Sequence, residues 1–133
     1  RRAFGREDSK STRDLYTALW IPDLFMKRVE ADGDWSLFCP NEAPGLSHVW
    51  GDDFDNLYGR YEQEGRARRT ISAQKLWFRI LQAQVDTGTP FMVYKDSVNR
   101  KSNQQNLGTI QGGSLNGDVV QFAEGGEMSA CPF

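Results

Sequence analysis

The sequence predicts a single helix-rich α/β domain with few, short strands. Residues 72–85 carry apolar side chains at helical spacing, which is typical of a helix with one buried face. Residues 91–94 (FMVY) form an apolar run with the length and composition of a strand that is buried on both faces. Hydrophobic residues make up 38% of the 133-residue chain, which is enough for one packed core.

The N-terminal quarter predicts two helical segments separated by a proline. Residues 1–12 are polar and charged, and we expect a flexible lead-in to a domain over 13–133. Apolar residues then recur at helical spacing, but Pro22 cannot lie deep in a helix without breaking it. We therefore expect a short helix or turn over 13–20 and a second helix that starts at Pro22 and ends near Gly33.

The remaining elements follow in order along the chain. WSLFC (35–39) predicts a short strand, and the proline-rich residues 40–45 predict a turn. Residues 51–64 predict a charged helix with an aromatic face, and Ser72 begins the clearest helix. After a polar stretch over 95–106, Val119, Val120 and Phe122 suggest one more strand.

Composition excludes several functional classes. The net charge of −2 and the acidic pI argue against a dedicated nucleic-acid binder. No apolar run approaches the length that crosses a bilayer. Cys39 and Cys131 do not have metal-ligand spacing, and His48 is the only histidine, so no metal site, cofactor site or histidine-based triad is predicted. The basic cluster 66–69 is more typical of a solvated loop than of an anion site in an acidic chain.

Two long blocks resemble the large, catalytic subunit of class I ribonucleotide reductase. They are LWIPDLFMKRVEADGDWSLFCPNEAPGL (19–46) and TGTPFMVYKDSVNRKSNQQNLGTIQ (87–111). The resemblance covers most of this chain but only a minor part of the family's longer subunit. It implies a partial fragment of that family's ten-stranded α/β barrel, with residues 22–31 and 72–85 in outer helices and 91–94 in the barrel wall.

The resemblance makes the segment after Ile110 decisive for function. The family's run resembles I-[KQ]-C-S-N-L-C-T-E-I, whereas this chain has IQGGSLNGDV. Asn116 therefore stands where the radical-bearing cysteine is expected, Asp118 where the glutamate base is expected, and Ser114 where the substrate-binding asparagine is expected. Cys131 falls at the position of one member of the family's redox cysteine pair.

These replacements change the chemistry that the resemblance implies. The family's reaction starts when a thiyl radical removes a hydrogen from the ribose, and the amide of Asn116 cannot hold that radical. Asp118 keeps the charge but is one methylene shorter than glutamate, and Ser114 lacks the paired donor and acceptor of an amide. We therefore expect no catalytic residue in this chain.

The sequence leaves three functions open. The preferred one is a non-catalytic accessory or structural subunit, a pseudoenzyme that docks on other protein subunits through exposed apolar helix faces. The second is a portion of a genuine or split ribonucleoside-diphosphate reductase, and the third is a regulator that binds a nucleotide weakly. The resemblance favours the cytoplasm, but the start at Arg1 without a methionine also fits removal of an organellar targeting segment.

Overall fold

The computed structural model describes residues 15–114 and 117–125 of the chain. Within them the chain forms a helix-rich α/β fold with short strands, as the sequence predicts. The elements in order are β1 (Ala18–Ile21), α1 (Asp23–Glu30), β2 (Asp34–Leu37), α2 (Gly51–Gln63), β3 (Arg69–Ser72), α3 (Ala73–Thr87), β4 (Phe91–Tyr94) and α4 (Lys95–Lys101).

The strands form two separate two-stranded sheets. β1 pairs in parallel with β4, with Ala18 opposite Phe91, and the elements from α1 to α3 lie between them in sequence. β2 pairs antiparallel with β3, with Asp34 opposite Ser72. No sheet closes on itself within the described ranges. A parallel pair needs a long crossover, and here the chain from α1 to α3, with the antiparallel pair β2–β3, supplies it.

The main core lies between α1, α3 and both sheets. Ile21, Phe25 and Ala73 are buried at its centre, and the tryptophan rings of β2 and α3 pack around them. Phe25 meets Trp35 edge to face with ring centroids 5.1 Å apart. The predicted apolar stripe of α3 supplies Leu76, Trp77 and Ile80 to this core, which is why this helix was predicted; it begins one residue and ends two residues later than the predicted range 72–85.

A second aromatic cluster attaches α2 to β2. Tyr58 stacks on Trp35 with centroids 4.5 Å apart, and its hydroxyl both donates to the Ser36 carbonyl and accepts from the Ser36 amide. Burial raises the pKa of the Tyr58 hydroxyl well above its ordinary value. Arg28 of α1 lies over the Tyr58 ring and forms a two-pronged ion pair with Glu62, so α1, α2 and β2 are held together.

Two predicted elements are wrong in type. Residues 18–21 form β1 rather than the end of a helix or turn, because Pro22 stops helix propagation and these residues pair with β4. The predicted strand at 119–122 is absent from the described residues, since the Phe122 amide donates to the Gln104 side chain instead of to a neighbouring strand. The predicted lead-in over 1–12 lies outside the described residues.

Two elements were not predicted, and one burial expectation is wrong. β3 lies in the basic, turn-like stretch after residue 66, and α4 lies in the polar stretch after residue 94. Neither segment has an apolar pattern, because Ile71 is the one apolar residue of β3 and Val98 that of α4. β4 is only half-buried, with Tyr94 exposed, because it has a partner on one edge alone in the described part of the chain.

Truncation of the central aromatic residue tests this core. Phe25 is 3% exposed, so Phe25→Ala should lower the free energy of unfolding by about 3–5 kcal/mol in urea titrations. Phe78 on the outer face of α3 is 65% exposed, and Phe78→Ala should change it by less than about 0.5 kcal/mol. Equal losses in the two variants would contradict the placement of the core.

Candidate functional site: a polar helix that anchors the predicted loop

Three polar side chains of α4 are buried where this helix meets the N-termini of α1 and α2 and the backbone at Ile110. Lys95, Asp96 and Asn99 are each no more than 3% exposed. They lie on one side of the helix because Asn99 follows Asp96 by three positions and Lys95 by four, and residues at these spacings share a helix face. Buried polar groups are stable only when hydrogen-bonded, so each of these residues has a partner on another element.

Asp96 holds the N-termini of two helices. One carboxylate oxygen accepts the Asp23 amide of α1 at 2.5 Å, and the other accepts the Gly51 amide of α2 at 2.6 Å. The first amides of a helix have no partner within the helix, and they carry the positive end of its dipole. Neither helix has a side-chain cap of its own, so Asp96 supplies a cap to both.

Lys95 fixes the loop that leads into α2. Its ammonium donates to the Leu46 carbonyl at 2.7 Å and lies 4.5 Å from the centre of the Phe54 ring. Burial lowers the pKa of Lys95 to about 8, against the smaller opposing effect of the Asp96 carboxylate. A cation in this position is held by a carbonyl dipole and an aromatic face.

Asn99 binds the backbone where the predicted loop begins. Its side-chain oxygen accepts the Ile110 amide at 2.7 Å, and its side-chain nitrogen donates to the Ile110 carbonyl at 3.2 Å. The side chain of Gln105 donates to the carbonyls of Asn99 and Arg100, and that of Gln104 accepts the Phe122 amide. The amide-rich stretch before Ile110 therefore binds backbone and shapes the loop.

The loop after Ile110 turns back on itself. The Ser114 amide donates to the Val119 carbonyl at 2.8 Å, and the Ser114 hydroxyl donates to the Asp118 carboxylate at 2.6 Å. Gly117 has a φ of +76°, which favours glycine, and a side chain at Gly113 would come within 3.0 Å of the Val119 carbonyl. Both glycines thus fit the tight turn.

A cavity of about 350 Å³ opens on this turn. It is lined by Gln111, Gly112, Gly113, Ser114, Val119, Gln121 and Ala123. Its walls are mainly backbone and small side chains, so a ligand here would meet peptide groups and the hydroxyl of Ser114.

Two of the four predicted site residues lie together in the structure. Ser114 and Asp118 are hydrogen-bonded to each other at the rim of the turn. Asn116 and Cys131 lie outside the described residues. Sequence reasoning missed Lys95, Asp96 and Asn99, because a buried polar helix shows no hydrophobic period; the only signal was the density of polar residues before Ile110.

The other residues singled out in the sequence have structural partners. His48 is exposed, its ring nitrogen lies 2.7 Å from the Gln111 amide nitrogen, and its carbonyl accepts the Thr109 hydroxyl. In the basic cluster, Arg68 forms a two-pronged ion pair with Glu42, which lowers the pKa of the Glu42 carboxyl. Both residues are exposed, as the prediction of a solvated loop expects.

The described residues contain neither a metal-binding cluster nor a membrane-spanning helix. No group of three or more histidine, cysteine, aspartate or glutamate side chains there could hold a metal ion. None of the helices in the same ranges is long and apolar enough to cross a membrane.

The fold and this loop define the class of protein. The family model "Ribonucleotide reductase, barrel domain" matches residues 1–133, so the chain belongs to the ribonucleotide reductase barrel-domain family. The resemblance predicted from the two sequence blocks is confirmed.

Similar proteins from distant organisms support this family assignment. The chain is 60% identical over 131 residues to ribonucleoside-diphosphate reductase large chain 2 of Saccharomyces cerevisiae, covering 98% of this chain and 15% of that protein. It is 56% identical to the large subunit from Danio rerio over 127 residues (96% of this chain, 16% of that protein). It is 53% identical to the large subunit from Arabidopsis thaliana over 131 residues, which covers 98% of this chain and 16% of that protein. The chain thus spans about one sixth of the length of these relatives.

Removing one charge from the α4 junction tests its role. Asp96→Asn keeps the shape but turns one acceptor into a donor that faces an amide, so we expect the free energy of unfolding to fall by about 3 kcal/mol in urea titrations. The exposed Asp53 lies in the first turn of α2, and Asp53→Asn should cost less than about 0.5 kcal/mol. A loss at Asp96 no larger than at Asp53 would contradict the double cap.

Proposed function

We propose that this chain is a portion of a ribonucleoside-diphosphate reductase large subunit and contributes barrel wall and active-site loop to the making of deoxyribonucleotides for DNA synthesis. The observation that carries the proposal is the way in which the structure holds the loop. The described residues hold Ile110 and Phe122 by the buried side chain of Asn99 and by that of Gln104. Identity of 53–60% to reductases of this name supports the same conclusion.

Under this proposal, Asp118 supplies the carboxylate of the loop. The Ser114 hydroxyl donates to this carboxylate at 2.6 Å, which holds it at the rim of the turn. The family's radical chemistry needs a sulfur, and the run Gly112–Val119 contains none. The proposal therefore places the radical sulfur outside that run, elsewhere in the assembly.

The assay of the native assembly tests the proposal. The protein purified with its natural partner polypeptides should convert ribonucleoside diphosphates to deoxyribonucleoside diphosphates. Asp118→Asn should lower that rate by about 100-fold or more, since a positioned acid–base group contributes about 10²–10⁴-fold. Asp53→Asn, in the exposed first turn of α2, is the matched control and should leave the rate unchanged.

A second function, a non-catalytic accessory subunit, is favoured by one specific observation. Asn116 occupies the position at which the family resemblance expects the radical cysteine. The partner surface would be the outer face of α3, where Phe78 and Val85 are exposed. An assembly that contains the chain but shows no turnover, with or without Asp118→Asn, would contradict the reductase proposal and support this one.

A further inference from the structure

A second cavity lies away from the predicted loop, between α2, β2 and the start of α4. Its volume is about 400 Å³, which is in the range of small-molecule sites. Its walls are aromatic, and a single ionisable amine lies among them; the residues that matter are Trp20, Trp35, Phe38, Phe54, Tyr58 and Lys95. Nothing in the reductase chemistry described above uses this cavity.

The side chains that line this cavity carry positive charge only. No aspartate or glutamate is among its lining residues, and Lys95 is the only charged one. The neighbouring Asp96 does not line the cavity, and both of its carboxylate oxygens are occupied by the Asp23 and Gly51 amides. An anion that entered the cavity would meet the Lys95 ammonium without meeting an acidic side chain in its wall.

The Lys95 ammonium retains donor capacity. An ammonium has three N–H groups, and Leu46 accepts one of them while the Phe54 ring faces the charge. No other hydrogen-bond acceptor for this group is present in the described part of the chain. A carboxylate would be the strongest additional partner, because a hydrogen bond between two charged groups is roughly twice as strong as a neutral one.

The walls favour a flat ring. Aromatic side chains pack edge to face as well as face to face with planar groups. Two tryptophans, two phenylalanines and one tyrosine line this cavity, and among them Tyr58 already stacks on Trp35 and on Phe54. The indole nitrogen of Trp20 is buried with no hydrogen-bond partner among the described residues. A ligand oxygen that reached that nitrogen would remove the cost of an unpaired buried donor.

We propose that this cavity is a binding site for a small aromatic monocarboxylate, with the ring between the aromatic walls and the carboxylate at the Lys95 ammonium. The site is separate from the loop cavity, and the proposal does not depend on whether the chain takes part in ribonucleotide reduction. It commits to an anion with one planar ring system, because the wall offers one cation and an apolar, aromatic surface.

Calorimetric titration with naphthalene-2-carboxylate tests the site on the native protein. We expect saturable binding with one site per chain, accompanied by a change in tryptophan fluorescence. The uncharged naphthalene-2-carboxamide, which has the same ring, should bind at least about tenfold more weakly. This comparison of two probes needs no variant, so a folding defect cannot obscure it.

Two matched variants locate the charge. Lys95→Met should weaken binding of the carboxylate by about tenfold or more and leave the carboxamide unchanged, since it removes the ammonium and keeps an apolar stem. Lys101→Met alters an exposed lysine at the far end of the same helix and should bind both probes as the wild type does. Absence of saturable binding, equal affinity for both probes, or equal loss in the two variants would each overturn the proposal.

Discussion

The buried carboxylate of Asp96 is the interaction on which the arrangement of the other elements depends. It caps α1 and α2 at once, and those two helices carry most of the side chains that fill the aromatic cluster. Arg28 and Glu62 join the same two helices at their opposite ends. The relative placement of α1 and α2 is therefore fixed at both ends by charge-assisted hydrogen bonds, and the aromatic rings pack between them.

The same short helix connects the core to the loop. Lys95 holds the entry to α2, and Asn99 holds both backbone groups of Ile110. The loop is thus fixed at Ile110 and at Phe122 by side chains that precede it, those of Asn99 and Gln104.

The sequence predicted the elements that carry an apolar pattern and missed those that do not. α1, α2, α3, β2 and β4 were found because each buries an apolar face or run against the core. α4 was missed since Lys95, Asp96 and Asn99 are buried by polar contacts to distant backbone groups, and no local pattern encodes those contacts.

The sequence predicted which residues belong to the loop but not how the loop folds. The resemblance located Ser114 and Asp118 in sequence, whereas their mutual hydrogen bond depends on the turn at Gly117. The strand predicted at 119–122 failed for a related reason, because the Phe122 amide is taken by a side chain 18 residues away. Side chain to backbone contacts of this range have no periodic signature in a single sequence.

Amide hydrogen exchange at Asp23 and Gly51 tests the central claim most directly. If one carboxylate holds both helix N-termini, these two amides exchange slowly in the wild-type protein, and Asp96→Asn accelerates both while the Lys75 amide, capped locally by Ser72, is unaffected. Acceleration of only one of the two amides, or of neither, would contradict the account.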